Sequence, residues 1–190
     1  MYKIIALIGE AGAGKDSLMQ AILEQRPDLH EIISCTTRPK REGEVHGVNY
    51  YYYSPEKFGD MVLHNEMLEC TVFNDWFYGT SYESVRSNCA NIGVFNPAGV
   101  EALEERADVE LYVIYVTASK KIRLLRQLTR EGNPDVDEII RRYRADQLDF
   151  AEFDTGAPTI VVVNEETDLV SLAQSILPQL EQWAPLGNLD

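Results

Sequence analysis

The chain has 190 residues, 45% hydrophobic and 25% charged, which suits one globular α/β domain with a modest insertion. Its net charge of −14 argues against general binding to nucleic acid or anionic membranes, which need a basic footprint. Any anionic substrate must then be drawn in by a local basic pocket.

The first predicted element is a buried strand, Ile4, Ile5, Leu7 and Ile8, that stops abruptly in G-E-A-G-A-G-K, residues 9–15. A helical pattern follows through Leu18, Ala21 and Ile22. Strand, glycine-rich turn, lysine and helix is the order that wraps backbone N–H groups around phosphates. Gly9, Gly12 and Gly14 permit close approach, the helix start adds its dipole, and Lys15 adds a mobile positive charge. The spacing G-x-x-x-x-G-K is that of a P-loop, so Gly9, Gly12, Ala13, Gly14, Lys15, Asp16 and Ser17 are expected to bind a nucleoside triphosphate. The motif wants Ser or Thr after its lysine, and this chain has Asp16.

Glu31 to Ser34 reads as a short strand running into S-C-T-T-R-P-K-R-E-G-E, residues 34–44, a basic, hydroxyl-rich loop in an acidic protein. Arg38 and Arg41 offer two planar forks to a phosphate and Ser34 and Thr37 add hydroxyls; the plainer alternative is a solvated loop. Tyr50 to Tyr53 reads as an aromatic strand, and Ser54-Pro55 opens a helix to about Asn65. Met67 to Phe73 alternates as a strand in which Glu69 is expected to face solvent. Residues 74–77 read as a turn, and Tyr78-Gly79-Thr80-Ser81 as the lead into a helix through about Ala90.

Beyond it come a strand from Ile92 to Phe95, a helix from Asn96-Pro97 to about Arg106, and a strand from Leu111 to Val116. Helices are expected over Lys120–Thr129 and Val136–Phe150, separated by a break with Gly132 and Pro134. Their arginines are either surface charges or the cations of a hinged lid over phosphates. A β-branched strand, Thr159–Val163, and a helix, Leu169–Trp183, complete the chain before a loose tail from Ala184. The strands alternate with helices behind a P-loop strand, which predicts a doubly wound parallel sheet of about five strands. No segment is long enough to span a bilayer, and the first apolar run is too short for a signal peptide. Cys35, Cys70 and Cys89 lack metal-ligand spacing and read as reduced thiols, so a cytoplasmic protein is expected.

Taken together, the P-loop, the 34–44 loop, G-V-N-Y at 47–50, the strand around Glu69, Y-G-T-S at 78–81, the arginine-bearing helices and V-V-V-N at 161–164 resemble the guanylate kinases over nearly the whole chain. That resemblance implies a three-layer P-loop fold with a central parallel sheet. The core would be residues 1–33, 89–125 and 151–183, with a nucleoside-monophosphate-binding insertion at 34–88 and a lid at 126–150. It also implies Mg²⁺-assisted transfer of a phosphoryl group from ATP to GMP or dGMP. Alternatives are a kinase for another deoxynucleoside monophosphate and a non-catalytic, protein-binding relative. By the same resemblance Ser34, Arg38, Arg41, Tyr50 and Tyr78 would hold the GMP phosphate, and Glu69 and Thr80 would read guanine. Arg126, Arg130 and Arg142, with Lys15, would stabilise the transferring group. Glu69 suits its role chemically, because one carboxylate can accept both N1–H and the N2 amino group of guanine, whereas adenine presents a lone pair at N1.

Two departures stand out. Anchored on Gly99, the family's D-x-D-x-x-G becomes V-F-N-P-A-G. Val94 stands where a carboxylate would help hold Mg²⁺, and Asn96 where a second would help bind the guanine amino group. Asp16 is then expected to take over the metal-holding role; the plainer alternative is a helix-start residue favoured by the dipole. The oligomeric state is left open.

Overall fold

A computed structural model describes residues 1–41, 43–73, 75–130, 134–165 and 168–186. Glu42 of the basic loop, Asn74 of the expected turn, Gly132 of the expected break and the last four residues of the tail lie outside them.

Five parallel strands make the main sheet: β1 (Tyr2–Ile8), β2 (His30–Glu31), β7 (Ala90–Val94), β8 (Val109–Thr117) and β9 (Thr159–Val163), in the order β2-β7-β1-β8-β9. β1 is central, and its residues alternate between two cores. Ile5 and Leu7 pack with α1 (Lys15–Gln25) and α6 (Leu169–Trp183), while Ile4, Ala6 and Ile8 pack with α3 (Pro97–Glu104) and Phe95 on the other face. A strand covered on both faces needs apolar residues at every position, hence the unbroken run from Ile4 to Ile8, all fully buried. The loops at the carboxyl ends of β1, β7 and β8 thereby meet on one edge, where ligands bind in such sheets.

Between β2 and β7 lies a second sheet, β4-β3-β6-β5, made of β3 (Cys35–Thr36), β4 (Tyr51–Tyr52), β5 (Met67–Phe73) and β6 (Trp76–Ser81). Its small core, Cys35, Phe58 and Met61, is closed by α2 (Pro55–Leu63), which Ser54 caps by accepting the Lys57 N–H. α4 (Lys120–Thr129) and α5 (Val136–Asp149) complete the chain.

The main strands and helices lie where the sequence places them, and α4, β9 and α6 have the expected bounds. The expected helix from residue 82 to 90 is absent. Trp76–Ser81 pairs antiparallel with β5, and only a 3₁₀ turn, Tyr82–Ser84, follows before the chain rejoins the main sheet. The hairpin depends on Asp75 at φ 63°, which lets two residues expected in the turn, Trp76 and Phe77, join the strand. The first crossover strand is also displaced, to His30–Glu31, because past the Ile32 N–H bond to Ile92 the chain leaves the main sheet for β3.

Candidate active site

The loop between β1 and α1 forms an anion cradle. Gly12 and Gly14 have φ of 81° and 92°, and a Cβ on them would collide with the Arg123 main-chain oxygen and the Asn164 amide. Gly14 is the N-cap of α1 and supplies no side-chain cap, so the first amides of that helix are left for an anion. From outside, the Asn164 Nδ2 donates to Ala13 O at 2.8 Å. Arg126 donates to Gly12 O (3.3 Å), Ala13 O (3.4 Å) and Glu165 O (2.9 Å). From inside, Lys15 Nζ donates to Gly9 O at 2.6 Å, and burial pushes its ammonium below the usual lysine range, against the pull of Asp16 and Asp146. Asp146 of α5 accepts the Ala11 N–H at 2.6 Å.

Opposite the cradle stands Glu69. Plain alternation along β5 would bury Leu68 and expose Glu69, as expected from sequence. The register against β6 shifts between Met67 and Glu69, and this irregularity turns both Leu68 and Glu69 inward. Glu69 is 8% exposed. Burial raises its carboxyl to about 7, with neighbouring Thr80 pulling the other way. Thr80 is itself fully buried beside it. Asn96 caps α3 by accepting the Gly99 N–H at 2.7 Å and donates to Thr71 Oγ1 at 3.1 Å.

A third group comes from the basic loop. Arg38 is buried and donates to both oxygens of Glu44, at 2.8 and 3.0 Å, with its guanidinium over the rings of Tyr50 and Tyr52. Glu44 also accepts the Arg41 N–H and the Tyr52 hydroxyl. Although burial opposes it, these hydrogen bonds bring its carboxyl down to about 2. For Arg41, burial, then the guanidinium groups of Arg38 and Arg142, lower the pKa against the pull of Glu44. Tyr50 packs edge-on against Tyr78, 6.1 Å between centroids, and its hydroxyl is raised to about 12 by burial and then by the charge of Asp16.

One cavity joins these parts. Gly9, Lys15, Ser34, Tyr50, Glu69, Tyr78, Asn96 and Arg142 all line it, together with Val94 and Asp146. A second, basic cleft beside it is lined by Arg38, Arg41, Arg130 and Arg142, so Arg142 borders both. Thr80 sits behind Glu69. Asp16 and Ser17 are exposed at the start of α1.

Residues 1–177 match the family model described as guanylate kinase. The chain belongs to the guanylate kinase family. As a member it is a phosphotransferase, a nucleoside monophosphate kinase. A guanylate kinase of Paramagnetospirillum magneticum is 31% identical over 183 residues, 92% of this chain and 83% of that one. One from Nostoc is 43% identical over a shorter stretch of 83 residues, 44% of this chain and 42% of its own length. The crystal structure of guanylate kinase from Anaplasma phagocytophilum superposes with a TM-score of 0.64 at 18% identity, covering 97% of this chain and 87% of that one, a likeness of fold.

Arg126, like Thr80, is a residue expected from the family resemblance that lies outside the lining of both cavities. It lies in α4 with its guanidinium on main-chain oxygens of the cradle and of Glu165. Sequence reasoning missed Glu44, which orients Arg38, and Asp146, which reaches the cradle from α5. Glu44 closes the motif that carries Arg38 and could have been suspected as its partner. Asp146 left no signal, because its contact spans 135 positions.

Proposed function

We propose that the chain transfers the γ-phosphoryl group of ATP to GMP or dGMP. The observation that carries this reading is that Lys15 of the cradle and the buried Glu69 line one cavity. Lys15 and the amides around Gly14 hold the β- and γ-phosphates. Arg38 and Arg41, with Ser34, Tyr50 and Tyr78, hold the acceptor's phosphate at the opposite wall. Glu69, as a carboxylate, accepts the N1–H and N2 amino protons of guanine, and Thr80 supports it from behind. Phosphoryl transfer needs positioning and charge neutralisation more than a protein base, and the basic cleft of Arg41, Arg130 and Arg142 supplies the neutralising charge. Arg126 acts from behind by holding the cradle in shape. Residues 34–88 work as the acceptor-binding unit and residues 126–150 as the lid, a division supported by the second sheet and by the cleft between the two.

Kinases of this kind generally need a divalent metal. Among the described residues no group of three or more His, Cys, Asp or Glu side chains gathers into a resident metal site. That fits a metal that arrives on ATP and takes only supplementary oxygens from the protein. The charge of Asp16 is felt by both Lys15 and Tyr50, and its carboxylate and the Ser17 hydroxyl are hard donors suited to Mg²⁺. Held there, Mg²⁺ would supply charge neutralisation on the β- and γ-phosphates. No helix among the described residues is long and apolar enough to cross a membrane, and all three cysteines are free thiols, which supports a cytoplasmic setting.

The deciding experiment is an ADP-release assay over the common ribo- and deoxynucleoside monophosphates with ATP and Mg²⁺. GMP or dGMP is expected to give the highest kcat/KM. Preference for a pyrimidine nucleotide would overturn the role given to Glu69.

A further inference from the structure

α5 presents three charged side chains to the cavity on successive turns, Arg142, Asp146 and Asp149. Asp146 is 6% exposed, and its carboxylate already holds the Ala11 N–H of the phosphate cradle. Lys15, Arg142 and Arg123 supply positive charge around it, opposing the burial that raises its carboxyl. Arg123 is meanwhile committed to Glu10 at 2.8 Å. Asp146 therefore sits where a nucleotide's anion would sit, bonded to the same kind of donor and facing the same lysine.

A triphosphate in this cradle and the Asp146 carboxylate cannot share the Ala11 N–H, and they repel each other. The carboxylate leaves either by turning about its own side-chain bonds or with a shift of α5, and only the second moves Arg142. That helix is tied down by buried Ile139, and Phe150, just past its end, stacks on Tyr115 with centroids 5.8 Å apart. Arg142 rides on the same segment. We propose that Asp146 is a built-in anion that competes with the triphosphate for the cradle, and that its displacement couples triphosphate entry to the placement of Arg142. This rests on the reading of residues 9–15 as the ATP phosphate cradle. Asp146 is thus a positioning residue: it sets ATP affinity and the timing of Arg142, and takes no part in the transfer.

The test is calorimetric binding of three probes, ATP without metal, Mg·ATP and inorganic triphosphate, to the wild type, Asp146→Asn and Asp146→Ala. Removing the competitor should lower Kd for all three probes by roughly tenfold, since apparent affinity scales with the fraction of cradle that is open. An unchanged Kd overturns the proposal. So does weaker binding confined to Mg·ATP, which would make Asp146 a metal-side carboxylate, and so does weaker binding of every probe, which would make it a strut of the loop. If neither wild type nor variants bind any probe, the cradle reading itself fails and the proposal falls with it. A measurement on the unaltered protein covers the case of a variant that does not fold. Adding inorganic triphosphate should change amide hydrogen exchange in residues 139–149, and unaltered exchange there would overturn the coupling to Arg142.

Discussion

The two walls of the cavity are built by opposite means. The cradle wall is mostly backbone: its shape comes from glycines that have no room for a Cβ, and it is clamped from behind by Asn164 and Arg126. The facing wall is mostly side chains on a small sheet, each aimed by another side chain or by an irregularity, as Glu44 aims Arg38 and the shift in β5 aims Glu69. A backbone site is hard to retune by substitution and is marked by a short local motif. A side-chain site is more easily retuned, and its residues are scattered along the chain.

The comparison breaks first at Lys15. Lys15→Ala should lower kcat by about 10³-fold or more, because the charge of the transferring group loses its nearest cation. GMP binding, measured by calorimetry, should survive in large part because it belongs to the facing wall. Loss of both together would mean that the walls are not separable.

Next in size is Glu69→Gln, which should lower kcat/KM for GMP by roughly 10²- to 10³-fold, since the amide presents a donor where guanine also presents one. The same variant carries a stability signature. The Glu69 carboxyl takes up its proton at about 7 in the folded chain, against 4.5 as its ordinary value. Between these values the folded state holds more protons than the unfolded, so wild-type stability falls as pH rises from about 4.5 to 7. In nucleotide-free buffer above pH 7 the Gln variant should be more stable to unfolding, by an amount on the order of 2–3 kcal/mol. GMP affinity of the wild type should rise through the same interval as the carboxylate forms, more steeply than in the variant. A flat stability difference across that range would show that Glu69 is ionised throughout.

A smaller effect is expected at Glu44. Glu44→Gln should raise KM for GMP about tenfold with kcat nearly unchanged, because Arg38 keeps its charge but loses the bidentate partner that points it. Since the Glu44 carboxyl is held down at about 2, its contribution to stability is present above the ordinary value of 4.5 and is lost as pH falls toward 2. Partial exposure limits that contribution to about 1 kcal/mol, readable in acid-denaturation midpoints. A fall in kcat with KM untouched would move Arg38 from binding to the chemical step.

The same contrast governs what could be read from the chain. The main strands, α4, β9, α6 and the whole cradle were legible, because each rests on local periodicity or on a contiguous motif. The hairpin from Met67 to Ser81 was only half legible: β5 alternates visibly, but β6 exists through cross-strand pairing and a positive φ at Asp75, neither of which marks residues 78–90 as anything but helix-compatible. Glu69 shows the cost of this. Its burial comes from a register shift that a list of residues does not contain, so its chemistry was visible only through family resemblance. Arg126 was named through family resemblance, and its hydrogen bonds to the main chain of Gly12, Ala13 and Glu165 join residues 39 to 114 positions apart, which local sequence does not display.

The smallest expected effect falls at Asp16, at the start of α1. Asp16 lies in the first turn of α1, so the dipole alone gives it a use worth about 0.3–1 kcal/mol. If that were its whole role, Asp16→Ser would lower the melting temperature slightly and leave the metal requirement alone. If its carboxylate supplies the oxygen that Val94 cannot, the Mg²⁺ concentration for half-maximal turnover at fixed ATP should rise by about three- to fivefold, with kcat at saturating Mg²⁺ little changed. A Mg²⁺ titration of turnover separates the two, because helix-start stabilisation has no dependence on free metal. An unchanged half-saturation would return Asp16 to the helix start and leave the cradle wall a backbone site throughout.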